Sequence, residues 1–253
     1  MTTPTSTHAS SDHSAESRTR ILDAAIRQFS LNGLAGARTE QIAEEAGVNK
    51  ALLYYYFKGK EDLYSAALES VAEGVRVSSL AALEGSATPG ERFLCAVLNH
   101  FDRIHTNWGF QNLMQLEMIR LHRGEENALT PLVEKVFRPV HERILQVIDE
   151  GVASGELIAV DRLQITYAAL GANAFYFLSA PMMRLIQEID PLDPRVLEHR
   201  RNAAITYLGQ AIFADRAHGT RVAARVLALT PMPASGGLRP HWLRNSARES
   251  IEK

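Results

Sequence analysis

The chain has 253 residues, which is enough to bury a sizeable core as one large domain or two smaller ones. Its formal net charge of −2 gives no overall sign of a nucleic-acid partner, and its 46% hydrophobic and 22% charged residues are ordinary for a soluble globular protein. Because Cys95 is the single cysteine, an intrachain disulfide is excluded, and a reducing compartment fits.

Residues 1–15 are rich in Ser, Thr and His and lack the apolar core of a signal peptide, so we predict a disordered tail there. A first helix is predicted from near Glu16 to Leu31, because apolar residues recur on one face at helical spacing. These residues are Ile21, Leu22, Ala25, Ile26 and Phe29. The pair Asn32-Gly33 is predicted to end this helix.

The segment from Thr39 to Tyr64 has the most informative pattern in the chain. It predicts a short helix, a glycine turn at Gly47, a second short helix and the start of a third, which together form a helix-turn-helix unit. Gly47 suits the backbone position just after a helix, and Asn49 can cap the second helix. Four residues are predicted to face each other across the turn: Ile42, Ala43, Leu53 and Phe57.

From about Arg18 to Tyr64, this pattern resembles the N-terminal domain of the TetR family of tetracycline-repressor-like transcriptional regulators. The matching residues are Ile21-Leu22-Ala24-Ala25-Phe29, Gly33, Thr39-x-x-Ile42-Ala43-x-x-Ala46-Gly47-Val48 and Leu53-Tyr54-x-Tyr56-Phe57-x-x-Lys60-Glu61-x-Leu63. The resemblance implies a DNA-binding domain over residues 16–64. It also implies that residues 65–215 form a larger helical domain that binds a small-molecule effector and dimerises.

The second short helix is the candidate DNA-reading element, because side chains on base edges specify sequence while phosphate contacts position the protein. Lys50 opens this helix and is placed to reach a guanine edge, with Ala51 and Leu52 close enough for apolar contact with a base. Thr39 is predicted to cap the first short helix, so its hydroxyl can face a phosphate. Arg38 is a further candidate for a phosphate or groove contact.

Three consecutive tyrosines in the same helix point about 100° apart, so they cannot share one role. The resemblance implies that Tyr54 and Tyr56 contact phosphates while Tyr55 approaches bases. Lys60 begins the next helix, where its charge and the helix dipole both favour a phosphate. Glu40 stands where family members often carry a basic residue.

After the helix-turn-helix, a helix is predicted from Gly59 to about Leu83, followed by a break at residues 85–90. Further helices are predicted at about 89–106, 109–122, 128–154, 161–187 and 193–215. Pro139 is predicted to kink the third of these. Because no alternating apolar pattern occurs, the predicted fold is all-α, with a three-helix N-terminal domain and a larger helical domain.

Two segments in the second half of the chain bear on membrane insertion and on DNA affinity. The uncharged run from Leu163 to Met183 contains several polar residues, so we predict a helix buried among other helices, no membrane span and a cytoplasmic protein. Residues 216–253 are predicted to be a basic tail, with seven Lys or Arg against two Asp or Glu. This tail is either a solvated appendage or a source of nonspecific DNA affinity.

One recognition helix reads only a few base pairs, so a homodimer on a palindromic site is predicted. The resemblance places its interface in the helices at about 161–187 and 193–215. The candidate contacts are the small residues Ala168, Ala169, Gly171, Ala172 and Ala174, and the stripe Ala204, Leu208 and Ile212. Packing within one chain would use the same pattern.

An effector pocket is implied by the resemblance alone. Its candidate residues are His105, Trp108, Met114, Glu117, Met118, His141, Asn173 and Tyr176. The polar ones among them are favoured because burial would demand a partner, whereas aromatic and Met residues at helical spacing also suit an ordinary core.

No motif for a catalytic or metal site is found: HExxH, CxxC, P-loop and GxSxG patterns are absent from the sequence. We therefore predict no enzyme activity, no cofactor and no metal. The predicted function is a DNA-binding regulator, in particular a repressor released from operator DNA by a small apolar or amphipathic ligand. The alternative is a helical ligand-binding or scaffold protein without DNA affinity. Glu40 and the weak local charge favour this alternative, since residues 18–64 hold seven Lys or Arg against six Asp or Glu.

Overall fold

The computed structural model describes residues 7–85, 87–187 and 189–234, with side chains from Ser14 onward. These residues are mostly helical and contain no β-strand, which confirms the predicted all-α fold. The helices are α1 (Thr7–Gly36), α2 (Thr39–Glu45), α3 (Lys50–Tyr56), α4 (Lys60–Leu83), α5 (Pro89–Thr106), α6 (Trp108–His122), α7 (Leu129–Leu132), α8 (Arg138–Ala153), α9 (Arg162–Gln187), α10 (Pro194–Ala211) and α11 (Arg216–Leu229).

The described residues form two compact units. The first contains the residues up to Glu73 together with Trp108–Leu132, and the second contains Gly74–Asn107 together with the residues from Val133 on. This division differs from the predicted boundary after Tyr64. The first unit extends along α4 and also takes in α6, because α6 packs against α1.

Helix α1 is longer than predicted at both ends. It begins at Thr7, so residues 7–15 are helical where a disordered tail is predicted, while residues 1–6 lie outside the described part of the chain. Apolar periodicity could not reveal this extension, because a polar segment carries no such pattern. Gly33 interrupts the helix with a φ of 66°, a left-handed conformation that suits glycine, and the helix then continues to Gly36.

In the first unit, α2, α3 and α6 pack against α1, and α7 packs against α6. The apolar residues predicted on α1 supply the centre of this packing, and the ring of Phe29 meets the ring of Tyr64 edge to face at a centroid distance of 4.9 Å. The fully buried residues include Ile21, Phe29, Ile42, Leu53, Leu63 and Leu68. The helix-turn-helix is therefore carried on a core of its own.

In the second unit, α5 is the central helix, since α8, α9, α10 and α11 all pack against it. Thr88 caps α5 by accepting a hydrogen bond from the N–H of Glu91 at 3.3 Å, and Pro89 is the first helical residue, as predicted. The buried core includes Phe93, Leu94, Val97, Leu98, Ile144, Val147, Ile148, Ile165, Ala169, Ile205, Leu208, Ile212, Phe213, Val222, Ala223 and Val226.

The helix predicted at 128–154 is divided. A π-helical turn at Val133–Phe137 separates α7 from α8. Pro139 lies in the first turn of α8, where its missing N–H would have no intrahelical partner in any case. The irregularity thus precedes Pro139, and no kink is centred on it inside a continuous helix.

The prediction that residues 216–253 form a tail is wrong for residues 216–229, which form α11. Asp215 caps this helix by accepting hydrogen bonds from the N–H groups of Ala217 and His218, and the apolar side of α11 joins the core. The predicted helix at 193–215 ends at Ala211. Residues 235–253, with most of the predicted basic tail, lie outside the described residues.

Helices α10 and α11 approach closely where Gly209 faces Gly219. A Cβ added at Gly219 would lie 1.9 Å from the carbonyl oxygen of Gly209, so neither position has room for a side chain without movement of the backbone. The same packing buries Leu208 and Ile212 in the core of the unit. The predicted dimer stripe of Ala204, Leu208 and Ile212 is therefore mainly intramolecular packing.

Candidate functional site

The turn of the helix-turn-helix is built by backbone hydrogen bonds around Gly47. The N–H of Gly47 donates to the carbonyl of Glu44 at 3.0 Å, and the N–H of Val48 donates to the carbonyl of Ala43 at 2.9 Å. Gly47 has a φ of 64°, a left-handed conformation that would strain most side chains. Asn49 then caps α3 by accepting from the N–H of Leu52 at 2.7 Å, so both predicted turn features are confirmed.

Helix α3 is anchored by its inward side and presents its other sides to solvent. All four residues predicted to face each other across the turn are buried: Ile42, Ala43, Leu53 and Phe57. The opposite positions Lys50, Ala51, Tyr54 and Tyr55 are exposed, and 79% of the surface of Tyr55 is accessible. Leu52 is half-buried. Lys50, Ala51, Tyr54 and Tyr55 therefore line an accessible face of a helix whose inward side is buried.

Two of these exposed side chains already have partners on α2. The Lys50 ammonium forms an ion pair with Glu40 and lies 5.7 Å from the centre of the Tyr54 ring. The pairing lowers the pKa of Glu40 and raises the pKa of Lys50, chiefly through the hydrogen bond between them, so both groups are held in their charged forms. Any contact of Lys50 with DNA must compete with Glu40.

The prediction that Thr39 caps α2 is wrong. Arg38 occupies the cap position, without a side-chain capping bond, and Thr39 is the first helical residue. Thr39 is buried, and its hydroxyl lies 3.2 Å from the hydroxyl of Tyr54. The exposed Arg38 side chain remains available on this surface. Thr39 thus positions Tyr54 and does not itself offer a free hydroxyl to a phosphate.

Tyr56 and Lys60 are fixed against helix α1. The hydroxyl of Tyr56 donates to the carbonyl of Ser14 at 3.1 Å and also lies 2.9 Å from the hydroxyl oxygen of Ser14. The Lys60 ammonium donates to the carbonyl of Ala35 at 3.0 Å. These bonds place both groups beside the ends of α1, where sequence spacing alone gave no partner.

The eight predicted effector residues are divided between the two units, so neither unit assembles all of them. In the first unit, the fully buried carboxylate of Glu117 accepts hydrogen bonds from the Tyr64 hydroxyl at 2.8 Å, the Arg120 guanidinium at 2.9 Å and the N–H of Ala128 at 2.5 Å. These partners fully engage the carboxylate, which gives Glu117 a structural role. The others in this unit are the half-buried Trp108, the buried Met114 and the exposed Met118.

In the second unit, Asn173 is buried and its side-chain amide donates to the carbonyl of Val97 at 3.0 Å. The Tyr176 hydroxyl donates to the carbonyl of Pro191 at 2.5 Å, and burial raises the pKa of Tyr176 to about 12. His105 and His141 are half-buried. Asn173 and Tyr176 thus link helices of the unit to each other and to the α9–α10 connection.

Sequence reasoning missed a polar stripe on α5, formed by Asn99, His100 and Arg103. Buried atoms in each of these side chains have no hydrogen-bond partner. The available signal was the spacing of the three residues, because positions i, i+1 and i+4 share one side of a helix. That signal is weak, since the same spacing is ordinary on a solvated helix face.

Among the described residues, no group of three His, Cys, Asp or Glu side chains is arranged to hold a metal ion. Within the same part of the chain, no helix combines the length and apolar character needed to cross a membrane.

An exposed short helix held by a tight turn in a small helical unit, followed by a larger helical unit, defines a helix-turn-helix DNA-binding regulator. The chain belongs to the TetR family. The family model described as "Bacterial regulatory proteins, tetR family" matches residues 21–67, and the one described as "Tetracyclin repressor-like, C-terminal domain" matches residues 89–207. This confirms the resemblance stated from the sequence. Members of this family are transcriptional regulators and not enzymes.

Known proteins similar to this chain share both units. The HTH-type transcriptional regulator BetI of Brucella melitensis biotype 2 is 27% identical over 165 residues, which cover 62% of this chain and 82% of that protein. A transcriptional regulator FadR from Bacillus subtilis, solved in complex with stearoyl-CoA, has a TM-score of 0.57 at 21% identity and covers 75% of this chain and 96% of its own. A putative regulator from Saccharomonospora viridis, solved in complex with choline, has a TM-score of 0.62 at 18% identity and covers 79% and 98%.

Proposed function

We propose that this regulator binds a palindromic operator as a homodimer and represses transcription in the cytoplasm until a small apolar or amphipathic molecule binds to it. The observation that carries DNA binding is the exposure of Lys50, Tyr54 and Tyr55 on a helix whose inner side is locked by buried Leu53 and Phe57. A helix held in this way can enter the major groove without rearrangement.

The contacts on the duplex follow from the placement of each side chain. Lys50 at the start of α3 is proposed to reach a guanine edge, exchanging Glu40 for base acceptors. Tyr55, which has 79% of its surface accessible, is proposed to approach bases, while Tyr54 and Arg38 contact phosphates. Tyr56 and Lys60 would reach phosphates only by exchanging their present partners on α1.

A dimer interface is supported by an apolar stripe along α9. Exposed apolar residues recur there every three or four positions at Phe175, Leu178, Met182 and Leu185, and Tyr167 and Ile186 are exposed on the same helix. The exposed small residues Gly171 and Ala172 lie in the same helix, and α10 adds the exposed Tyr207. Monomeric proteins rarely expose a continuous apolar patch of this kind, so we propose that a second copy covers it.

Release by an effector is supported by the two structural neighbours, whose crystals hold stearoyl-CoA and choline. A molecule that prefers the conformation with the wrong spacing of the two α3 helices weakens DNA binding by its differential affinity for the two states. By the same reasoning, operator DNA weakens effector binding by an equal factor.

A gel shift with the DNA upstream of the protein's own gene tests the proposal. Wild-type protein should give a saturable shift that weakens as salt is raised, because phosphate contacts release counterions. Combining Lys50→Ala with Tyr54→Ala should weaken binding at least about tenfold, since it removes one base contact and one phosphate contact. Arg138→Ala removes an exposed cation from α8 and should leave the affinity unchanged.

Unchanged affinity in the double variant would show that α3 does not read the DNA. If the wild-type protein gives no saturable shift even at low salt, the regulator lacks operator affinity, and the alternative of a helical ligand-binding protein gains support.

Sedimentation equilibrium tests the interface. Leu185→Glu places a charge on the α9 stripe and should convert the dimer to a monomer, because the charge would be buried without a partner. Leu229 at the end of α11 is also exposed, and Leu229→Glu should leave the dimer intact. If both variants remain dimeric, the interface lies elsewhere.

A further inference from the structure

One side of helix α5 carries three polar residues in the second unit. Asn99 and Arg103 are four positions apart, and His100 and Arg103 are three apart, so the three side chains are neighbours on the helix surface. On the rest of α5, apolar side chains pack against α8, α9, α10 and α11. The polar stripe therefore lies on the central helix of the second unit.

Each side chain of this stripe has one buried polar atom that forms no hydrogen bond. The Nε of Arg103, the Nδ1 of His100 and the Oδ1 of Asn99 have no hydrogen-bond partner, although the rest of each side chain is partly accessible. Most buried polar atoms in proteins are paired, so three unpaired ones within two turns of one helix call for an explanation. A bound molecule would supply the missing partners.

Arg201 is a buried arginine of the same unit that does have hydrogen-bond partners, and it serves as a comparison for Arg103. Its buried guanidinium forms two hydrogen bonds of 2.7 Å to the carboxylate of Asp102 and a third of 3.0 Å to the carbonyl of Thr230. Asp102 directly precedes Arg103 but is committed to Arg201. Among the described residues, Arg103 forms no ion pair with a carboxylate.

The charges in the stripe restrict the ligand. Burial lowers the pKa of Arg103 to about 10, so its guanidinium stays positive near neutral pH. Burial, with a smaller contribution from the Arg103 charge, lowers the pKa of His100 to about 3, so that imidazole is neutral. The stripe thus offers one positive charge beside two uncharged hydrogen-bonding groups. One charge balances a monoanion but not a dianion, and it repels an organic cation.

We propose that Arg103 and His100 bind the carboxylate of a small organic monoanion, with Asn99 accepting a hydrogen bond from the same molecule. The planar guanidinium can hold two carboxylate oxygens, and the neutral imidazole can donate its Nδ1–H. The buried neighbours Ala96 and Ile104 favour an apolar body for the ligand. This ligand is the effector of the proposed function, and the inference rests on that function for its regulatory meaning.

Thermal unfolding of the full chain without ligand gives the first test. Arg103→Met removes a buried charge that has no protein partner, so its Tm should equal or exceed that of the wild type. Arg201→Met removes an arginine with a full set of partners and strands Asp102, so its Tm should fall clearly. A fall for Arg103→Met as large as that for Arg201→Met would show that Arg103 is structural, which would overturn the proposal.

The second test uses octanoate, laurate and benzoate as probes, each matched with the alcohol of the same skeleton. At least one carboxylate should raise the Tm of the wild type progressively with its concentration, while its matched alcohol, choline and inorganic phosphate do not. Arg103→Met should abolish the rise. Arg143→Met, which removes another partly buried arginine of the unit, should retain it. Equal responses to acid and alcohol, or no response to any of the three acids, would overturn the proposal.

The outcomes remain separable from the proposed function, because neither test contains DNA. If a carboxylate stabilises the wild type through Arg103 while the gel shift fails, the anion site stands and the regulatory role falls. If the gel shift succeeds and no carboxylate binds, the regulator stands and the ligand class is wrong.

Discussion

The helix-turn-helix and the second helical unit use polar contacts at very different sequence distances. Around α3, Lys50 pairs with Glu40 ten positions away, and Thr39 meets Tyr54 fifteen positions away. In the second unit, Arg201 reaches Asp102 across 99 positions, and Asn173 bonds to Val97 across 76. The pairs on the exposed side of α3 thus join residues close in the chain, whereas these pairs of the second unit join distant helices that meet only on folding.

Because of this difference, substitutions in the two regions should affect different properties, namely DNA binding and folding stability. The polar groups around α3 are mostly exposed, where ion pairs contribute little to stability, so changing them should alter DNA binding more than folding. The Arg201–Asp102 and Asn173–Val97 pairs of the second unit are largely buried, and losing one partner strands the other away from water. Substitutions at these pairs should lower the free energy of unfolding more than they change DNA binding.

The largest effect is expected from Asp102→Ala. It leaves the buried Arg201 guanidinium without its two carboxylate bonds, so the free energy of unfolding should fall by about 3–5 kcal/mol. Urea denaturation of the purified protein measures this. Asp149→Ala breaks an exposed ion pair with Arg162 and should cost no more than about 1 kcal/mol. If both variants lose the same free energy of unfolding, buried and exposed ion pairs contribute equally to the stability of this protein, which contradicts the prediction.

A smaller effect is expected at Glu156, whose carboxylate joins the start of α5 to α11. It accepts hydrogen bonds from the Thr88 hydroxyl at 2.6 Å and the N–H of Gly90 at 2.8 Å, and lies 3.1 Å from the His218 ring nitrogen. Burial acts to raise the pKa of Glu156, but these three partners outweigh it, so the pKa lies below the ordinary value of 4.5.

Because the folded state has the lower pKa, Glu156 binds protons more readily when the chain is unfolded. Its stabilising contribution is therefore present at neutral pH and is lost as the pH falls below about 4.5 and through the folded-state pKa. Glu156→Gln should lower the free energy of unfolding by about 1–2 kcal/mol at pH 7. It should also make the loss of stability at acid pH less steep. Urea midpoints measured from pH 7 to pH 3 check this, and an equally steep acid loss in both proteins would contradict it.

The smallest effect is expected from Glu40→Gln in the DNA-reading region. Freeing Lys50 from its exposed ion pair should raise operator affinity several-fold and leave the Tm unchanged. Gel-shift titration and thermal unfolding of the same sample measure both quantities. Glu44→Gln removes another exposed acid of α2 and serves as the control for net charge. Weaker DNA binding after Glu40→Gln would mean that Glu40 itself contacts the duplex.

Local chemistry made the helix-turn-helix predictable. Gly47 requires a left-handed backbone, Asn49 supplies a cap, and Leu53 and Phe57 mark the buried side of α3, all within one short segment. The predicted capping role of Thr39 is wrong because a threonine at the cap position and one in the first turn look alike in sequence. In the structure, Thr39 is the first helical residue, and its hydroxyl contacts that of Tyr54.

In the second unit, the sequence predicts where most helices lie but not which helices pack against each other. The starts of α5 and α9 were placed to within a residue by cap and periodicity signals. Helix α11 was missed, although Asp215 caps it and its apolar side fills the core. The stripe of Leu208 and Ile212 is compatible in sequence with a dimer interface and with packing inside one chain, because an apolar helix face does not reveal which surface covers it.

Turns, caps and helical periodicity depend on residues close together in the chain, so the amino-acid sequence was sufficient to predict the all-α class, the helix-turn-helix and the exposed face of α3. The pairing of Arg201 with Asp102, and the lack of a partner for the Nε of the adjacent Arg103, are seen only in the folded arrangement of the helices. Whether a buried charge is satisfied depends on groups contributed by distant helices, and no local pattern encodes that contact.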